Sequence, residues 1–181
     1  LRSGFKIFFE LGSTDRWKNL TDFLNYPDHG IGSIIGCRQY GLFNNQNLVM
    51  GFEYARLTLG TQLFYELYLR PTPNWYGNKL FDYSSYDGRR WAAHSGSDSD
   101  DLYIYFGYQS DKWTFIPALN FERHGVLYTR PAEVKMEIRL DFRYTYKEYH
   151  FNVFFEREWL EHAGFVPNKW RIGNVVWFGV E

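Results

Sequence analysis

The sequence predicts an all-β protein, an antiparallel transmembrane β-barrel with about eight strands, and three observations carry that expectation. The first is the stretch EVKMEIRLDFRYTYK, residues 133–147, which splits by alternate residues into two pure sets. Val134, Met136, Ile138, Leu140, Phe142, Tyr144 and Tyr146 form one; Glu133, Lys135, Glu137, Arg139, Asp141, Arg143, Thr145 and Lys147 form the other. Strand side chains alternate faces, so this pattern is a strand with one apolar and one charged face. The second is composition: 22% of residues are aromatic, with 17 Phe, 15 Tyr and 7 Trp. Aromatic residues favour strands, and Tyr and Trp suit membrane interfaces. The third is the rhythm of connections, long at 13–30 and 71–99, medium at 124–132 and 161–168, short at 44–47, 109–112 and 147–149. Tight turns then gather on one side and longer loops on the other, as in outer-membrane barrels. A soluble sandwich alternates in the same way, so it stays open as the rival.

In chain order, GFKIFFELG (residues 4–12) reads as a strand with Phe5, Ile7, Phe9 and Leu11 on one face. Residues 13–30 are turn-rich, with a short helix expected around Trp17–Leu24, capped by Thr14 or Asp15. A strand follows over Ile31–Leu42, then a hairpin signal at Asn44-Asn45-Gln46-Asn47. Leu48 to about Leu69 reads either as two strands broken at Thr58–Gln62 or as one long strand, and as one unit it makes the connections alternate long and short. Further strands are expected at about Leu102–Tyr108, Trp113–Arg123, Glu133–Tyr146, Tyr149–Leu160 and Lys169–Val180. Pro117, inside one of these, would ordinarily mark an edge or a bulge.

The 181 residues suit one domain, either a whole small barrel or the C-terminal portion of a larger one. A net charge of −1 gives no electrostatic reason to expect nucleic acid. The single cysteine, Cys37, excludes an intrachain disulfide, and no run reaches the roughly 18 apolar residues of a spanning helix. The opening LRSGFKIFF has no signal-peptide features and reads as a strand already under way.

The motifs that carry chemistry are few. Gly30–Gly36 spells GxGxxxG with no helix pattern after it, which points to strand packing rather than a dinucleotide site. Ser33 lacks the flanking glycines of a nucleophile elbow. The five histidines (His29, His94, His124, His150 and His162) show no ligand spacing, so neither metal nor cofactor is expected. Glu10 with Asp15, or Glu156 with Glu158, have the residue types of an acid–base pair, but nothing in the spacing brings them together, and no catalysis is expected. The polar cluster His94–Asp101 fails as a calcium loop and reads as a solvated loop entering a strand. With Trp75, Tyr76, Tyr83, Tyr86, Arg89, Arg90 and Trp91 before it, it also supplies what a sugar site uses: aromatic faces for stacking and charges that bracket hydroxyls. Trp75, Tyr76, Arg89, Arg90, Trp91, His94, Asp98 and Asp100 are the candidate polysaccharide-binding residues.

FKIFFELG with Leu20–His29, Gly51–Ala55, Asn74-Trp75-Tyr76, and His94–Asp101 with Phe121-Glu122-Arg123 together resemble the later part of the capsule assembly protein Wzi family. Glu10, Asp22, Glu53, Trp75, Tyr76, Asp98 and Glu122 match the family pattern by position. The resemblance implies an eighteen-stranded outer-membrane barrel in bacteria, with a lectin-like role in attaching capsular or exopolysaccharide and no enzymatic step. About eight strands cannot make that barrel, so the chain reads as its C-terminal portion, with a reduced small barrel as the alternative. Expected partners are outer-membrane lipid and the polysaccharide; Glu133, Lys135, Glu137, Arg139, Asp141 and Arg143 are expected to face the lumen. The competing functions are a soluble all-β carbohydrate-binding or carbohydrate-active domain, and a purely structural barrel.

Overall fold

The computed structural model describes residues 4–13, 19–25, 31–57, 85–86, 89–90, 98–126 and 130–181. Its strands are β1 (Gly4–Ser13), β2 (Ile31–Leu42), β3 (Asn45–Arg56), β4 (Ser85–Tyr86), β5 (Arg89–Arg90), β6 (Ser99–Gln109), β7 (Trp113–His124), β8 (Glu133–Tyr146), β9 (Tyr149–Glu161) and β10 (Trp170–Val180). Eight of them form one antiparallel sheet in the order β1-β2-β3-β6-β7-β8-β9-β10, while β4 and β5 pair with each other. A short helix α1 (Leu20–Asn25) and a 3-10 turn (Ala163–Phe165) are the helical elements among the described residues. No helix there is long and apolar enough to cross a membrane, which says nothing about crossing by strands. The all-β antiparallel fold is as the sequence predicts. Closure is not: β1 and β10 are the two edges of an open sheet and do not pair with each other.

Three tight turns, at 43–44, 110–112 and 147–148, lie at one end of the sheet. The strand ends that the longer connections join, Ser13 and Ile31, Arg56 and Ser99, His124 and Glu133, Glu161 and Trp170, lie at the other. The first hairpin is one residue earlier than the asparagine run suggests. Phe43 and Asn44 take φ of 51° and 60°, as a two-residue type I′ turn requires, and Leu42 pairs with Asn45. Asn45 and Asn47 are spent inside β3 instead: the Asn47 amide bonds the Asn45 side chain at 3.0 Å, and Asn47 Nδ2 donates to the Tyr108 hydroxyl at 2.9 Å.

α1 begins three residues later than expected, and Thr14 and Asp15 lie outside the described residues, as do residues 58–69, the expected continuation of β3. Pro117 is not at an edge. β7 is central, and its ladder to β8 runs through Pro117↔Leu140, whereas the ladder to β6 has no pair between Tyr105↔Ala118 and Tyr108↔Phe115. A local gap on one side accommodates the missing N–H.

The register puts the predicted alternate sets onto two continuous faces. Across one run Phe52, Ile104, Leu119, Ile138 and, in the neighbouring rung, Met50, Phe106, Pro117, Leu140, Phe155 and Val176. This apolar face is open: Ile104, Phe106, Leu119, Phe121 and Met136 are all exposed. At its tight-turn end lie Tyr108, Trp113, Tyr144 and Phe151, the first two stacked at 4.3 Å, and at its other end lie Trp159 and Trp170. The opposite face mixes polar side chains and glycines with the buried Val49, Ala55, Ala118 and Leu160. Gly51 is required there because a Cβ would sit 2.6 Å from the Tyr105 ring that covers it. At the edge strand β10 this face turns apolar, with Val175 and Trp177 exposed.

Candidate functional site

The polar face is most densely built where β6, β7 and β8 approach the long connections. Asn120 and Glu122 of β7 stand two residues apart, so they share a face, and the register sets them beside Glu137 and Lys135 of β8. Lys135 Nζ bonds Glu137 at 2.7 Å and Glu122 at 3.3 Å. Asn120 Nδ2 donates to Glu122 Oε1 at 2.6 Å and to Glu137 Oε2 at 3.3 Å, and His124 Nε2 lies 2.9 Å from Glu122 Oε2. Two carboxylates thus share one ammonium and one amide. Glu122 is 1% exposed, which such a set of charge-assisted bonds makes tolerable. The two donor bonds fix the orientation of the Asn120 amide and leave its Oδ1 buried without a hydrogen-bond partner.

Beside this network is a recess of about 210 Å³ lined by Glu53, Asp101, Tyr103, Asn120, Glu137, Arg139 and Glu156. Acceptors dominate it. Arg139 is the guanidinium in its lining; it bonds Asp141 at 3.1 Å and lies 4.6 Å from the Phe154 ring centre. A second recess of about 370 Å³, nearer the tight turns, includes Asp141, Arg143, Asn152, Phe154 and Trp177 in its wall. Arg143 Nε donates there to Asn152 at 2.9 Å. Both recesses pair carboxylate or amide groups with an aromatic ring, a combination that suits hydroxylated ligands. Among the described residues no cluster of His, Cys, Asp and Glu is placed to hold a metal ion.

Trp75, Tyr76, Trp91 and His94 lie outside the described residues, and Arg89 and Arg90 form the backbone of β5. Asp98, Ser99 and Asp100, expected in a solvated loop, are buried instead. β6 begins at Ser99 because the backbone already has partners there: Leu57 N–H donates to the Ser99 carbonyl at 2.8 Å, and Gly125 N–H to that of Asp98 at 2.9 Å. The Asp100 carboxylate is held in a two-pronged bond by Arg123, Nε to Oδ1 at 2.8 Å and Nη2 to Oδ2. Glu133, Lys135, Glu137, Arg139, Asp141 and Arg143 share the polar face, opposite His124, Glu122, Asn120, Ala118, Ile116 and Thr114 of β7. Glu53 and Glu122, singled out by the resemblance, belong to the recess and the network respectively. Alternation alone puts Asn120 on this face; only the register shows it meeting Glu137. No family model, curated protein or solved structure matches the chain.

Proposed function

We propose that this chain forms wall of an outer-membrane β-barrel in a bacterial cell, and that the protein attaches capsular or exopolysaccharide in a lectin-like manner without catalysing a reaction. The observation that carries the membrane part is the inversion of burial along β7, where Leu119 and Phe121 are exposed while Asn120 and Glu122 are buried. Apolar side chains facing outward and charges facing inward suit a lipid exterior and a polar interior. Strand lengths of 10–14 residues support the same reading, since about 9–11 tilted residues cross a bilayer. So do the segregated turns and the Tyr and Trp residues at both ends of the apolar face. An open sheet then needs further strands at both edges or closure of β1 on β10, and exposed apolar edges such as Phe9 and Val176 favour one of these over an isolated sheet.

The polysaccharide part rests on the resemblance, on the acceptor-rich recess with its unpartnered Asn120 oxygen, and on the residues between β3 and β6. Trp75, Tyr76, Arg89, Arg90, Trp91 and His94 are the proposed outer contacts, with Asp98 and Asp100 holding the base of that connection. No cofactor takes part. Expression followed by fractionation tests the proposal: the protein requires detergent, and its electrophoretic mobility changes on heating. Purified protein then retains capsular polysaccharide on a column, and loses it when Trp75, Tyr76 and Trp91 are replaced by alanine. Recovery in the soluble fraction without detergent defeats the membrane reading. Membrane insertion with no glycan retained leaves the structural barrel.

A further inference from the structure

We infer that Arg157, with Asn174 beside it, is a binding site on the apolar face for the anionic phosphate of a lipid headgroup. The inference rests on the membrane reading. β9 places Arg157 on that face, paired with Ile138 on one side and Asn174 on the other. Both Arg157 and Asn174 are exposed, and they are polar neighbours within an otherwise apolar surface. Other cations of this face sit at its long-connection rim: Arg56 opposite Asp100, and Arg123, which bonds Asp100. Arg157 forms no ion pair among the described residues. A lone charge on an apolar surface is costly, and a phosphate of the surrounding lipid would supply the counter-ion that the described residues do not.

The direction of the side chain says where that counter-ion lies. The guanidinium sits 5.0 Å from the ring centre of Trp159, one rung nearer the long connections. That contact sets the guanidinium against its same-strand neighbour on the side of the long connections. From Arg157 to Glu161, where β9 ends, is about 14 Å along the strand, and less across a tilted sheet. A long cationic side chain covers such a depth by snorkelling to the headgroup level, where Trp is also at home. A guanidinium fork matches phosphate oxygens bidentately, and the Asn174 amide adds a donor in the neighbouring strand.

The test is native mass spectrometry of the detergent-solubilised protein titrated with diphosphorylated lipid A, dephosphorylated lipid A, and inorganic phosphate. The wild type and Arg171→Gln, a change on the opposite face, retain the diphosphorylated lipid; Arg157→Gln binds it roughly tenfold more weakly. Dephosphorylated lipid A does not distinguish the two, and inorganic phosphate alone is not retained. Should Arg157→Gln not assemble, Asn174→Ala carries the comparison, with a loss of about threefold for one neutral donor. Equal affinity of wild type and variant, or capture of inorganic phosphate, overturns the inference while leaving the membrane reading intact. A protein that stays soluble without detergent overturns both.

Discussion

Phe121 and Glu122 are neighbours in β7, yet the phenylalanine is 44% exposed and the glutamate 1%. In a water-soluble protein the ordering runs the other way, because burying an apolar ring is favourable and burying an isolated charge is costly. The contrast extends across the sheet. On one face Leu119, Phe121 and Met136 are open, and on the other Asn120, Glu122 and Glu137 are enclosed and bonded to one another. On the proposed membrane reading two surroundings act on one sheet, and substitutions on its two faces follow different rules.

The largest effect is expected from removing the shared cation on the polar face. Lys135→Met strands Glu122 and Glu137 in a buried setting and destabilises by about 3–5 kcal/mol, read as a lowered urea midpoint of the folded, heat-modifiable form. On the apolar face Ile138→Arg or Leu140→Arg should cost about 2–4 kcal/mol and block assembly, measured as loss of the folded band, because the membrane reading places that charge in lipid. Arg139→Leu is milder, at roughly 0–1 kcal/mol, since its pair with Asp141 has both side chains more than 40% exposed. A loss of several kcal/mol from that change would instead indicate a narrow, filled interior. Asn152→Ala is smallest, about 0.5 kcal/mol in the same unfolding assay, because its bond to Arg143 is open to solvent.

The two faces were legible in the sequence because period-two alternation survives any choice of partner strand: Glu133–Tyr146 is a strand with the predicted limits and parity. The pairing of β2 with β3, β6 with β7 and β8 with β9 was legible as well, since short connections force neighbouring strands to pair. The position of the first hairpin was not, because Asn44 and Asn45 both suit a left-handed turn and a cross-strand bond from Asn47 to Tyr108 goes with the earlier one. The acids at 98–101 misled for a related reason. Composition marks them as solvated, but Asp100 pairs with Arg123, far along the chain, and Asp100 and Asp101 lie in β6. Asn120, Glu122, Lys135 and Glu137 are scattered through two strands, and only their register gathers them into one network beside the recess.

The central claim is that the apolar face meets lipid. Cys37, the chain's single cysteine, lies on that face, paired with Ile7 and Phe52, and gives a direct probe without any substitution. A spin label on Cys37 in reconstituted vesicles should collide freely with oxygen and hardly at all with a water-soluble nickel complex. A label at Arg139→Cys in a Cys37→Ser background, on the polar face, should show the reverse. If the Cys37 label is instead reached by the nickel complex as readily as the Arg139 site, or is shielded from both reagents, the apolar face meets water or protein and the account fails.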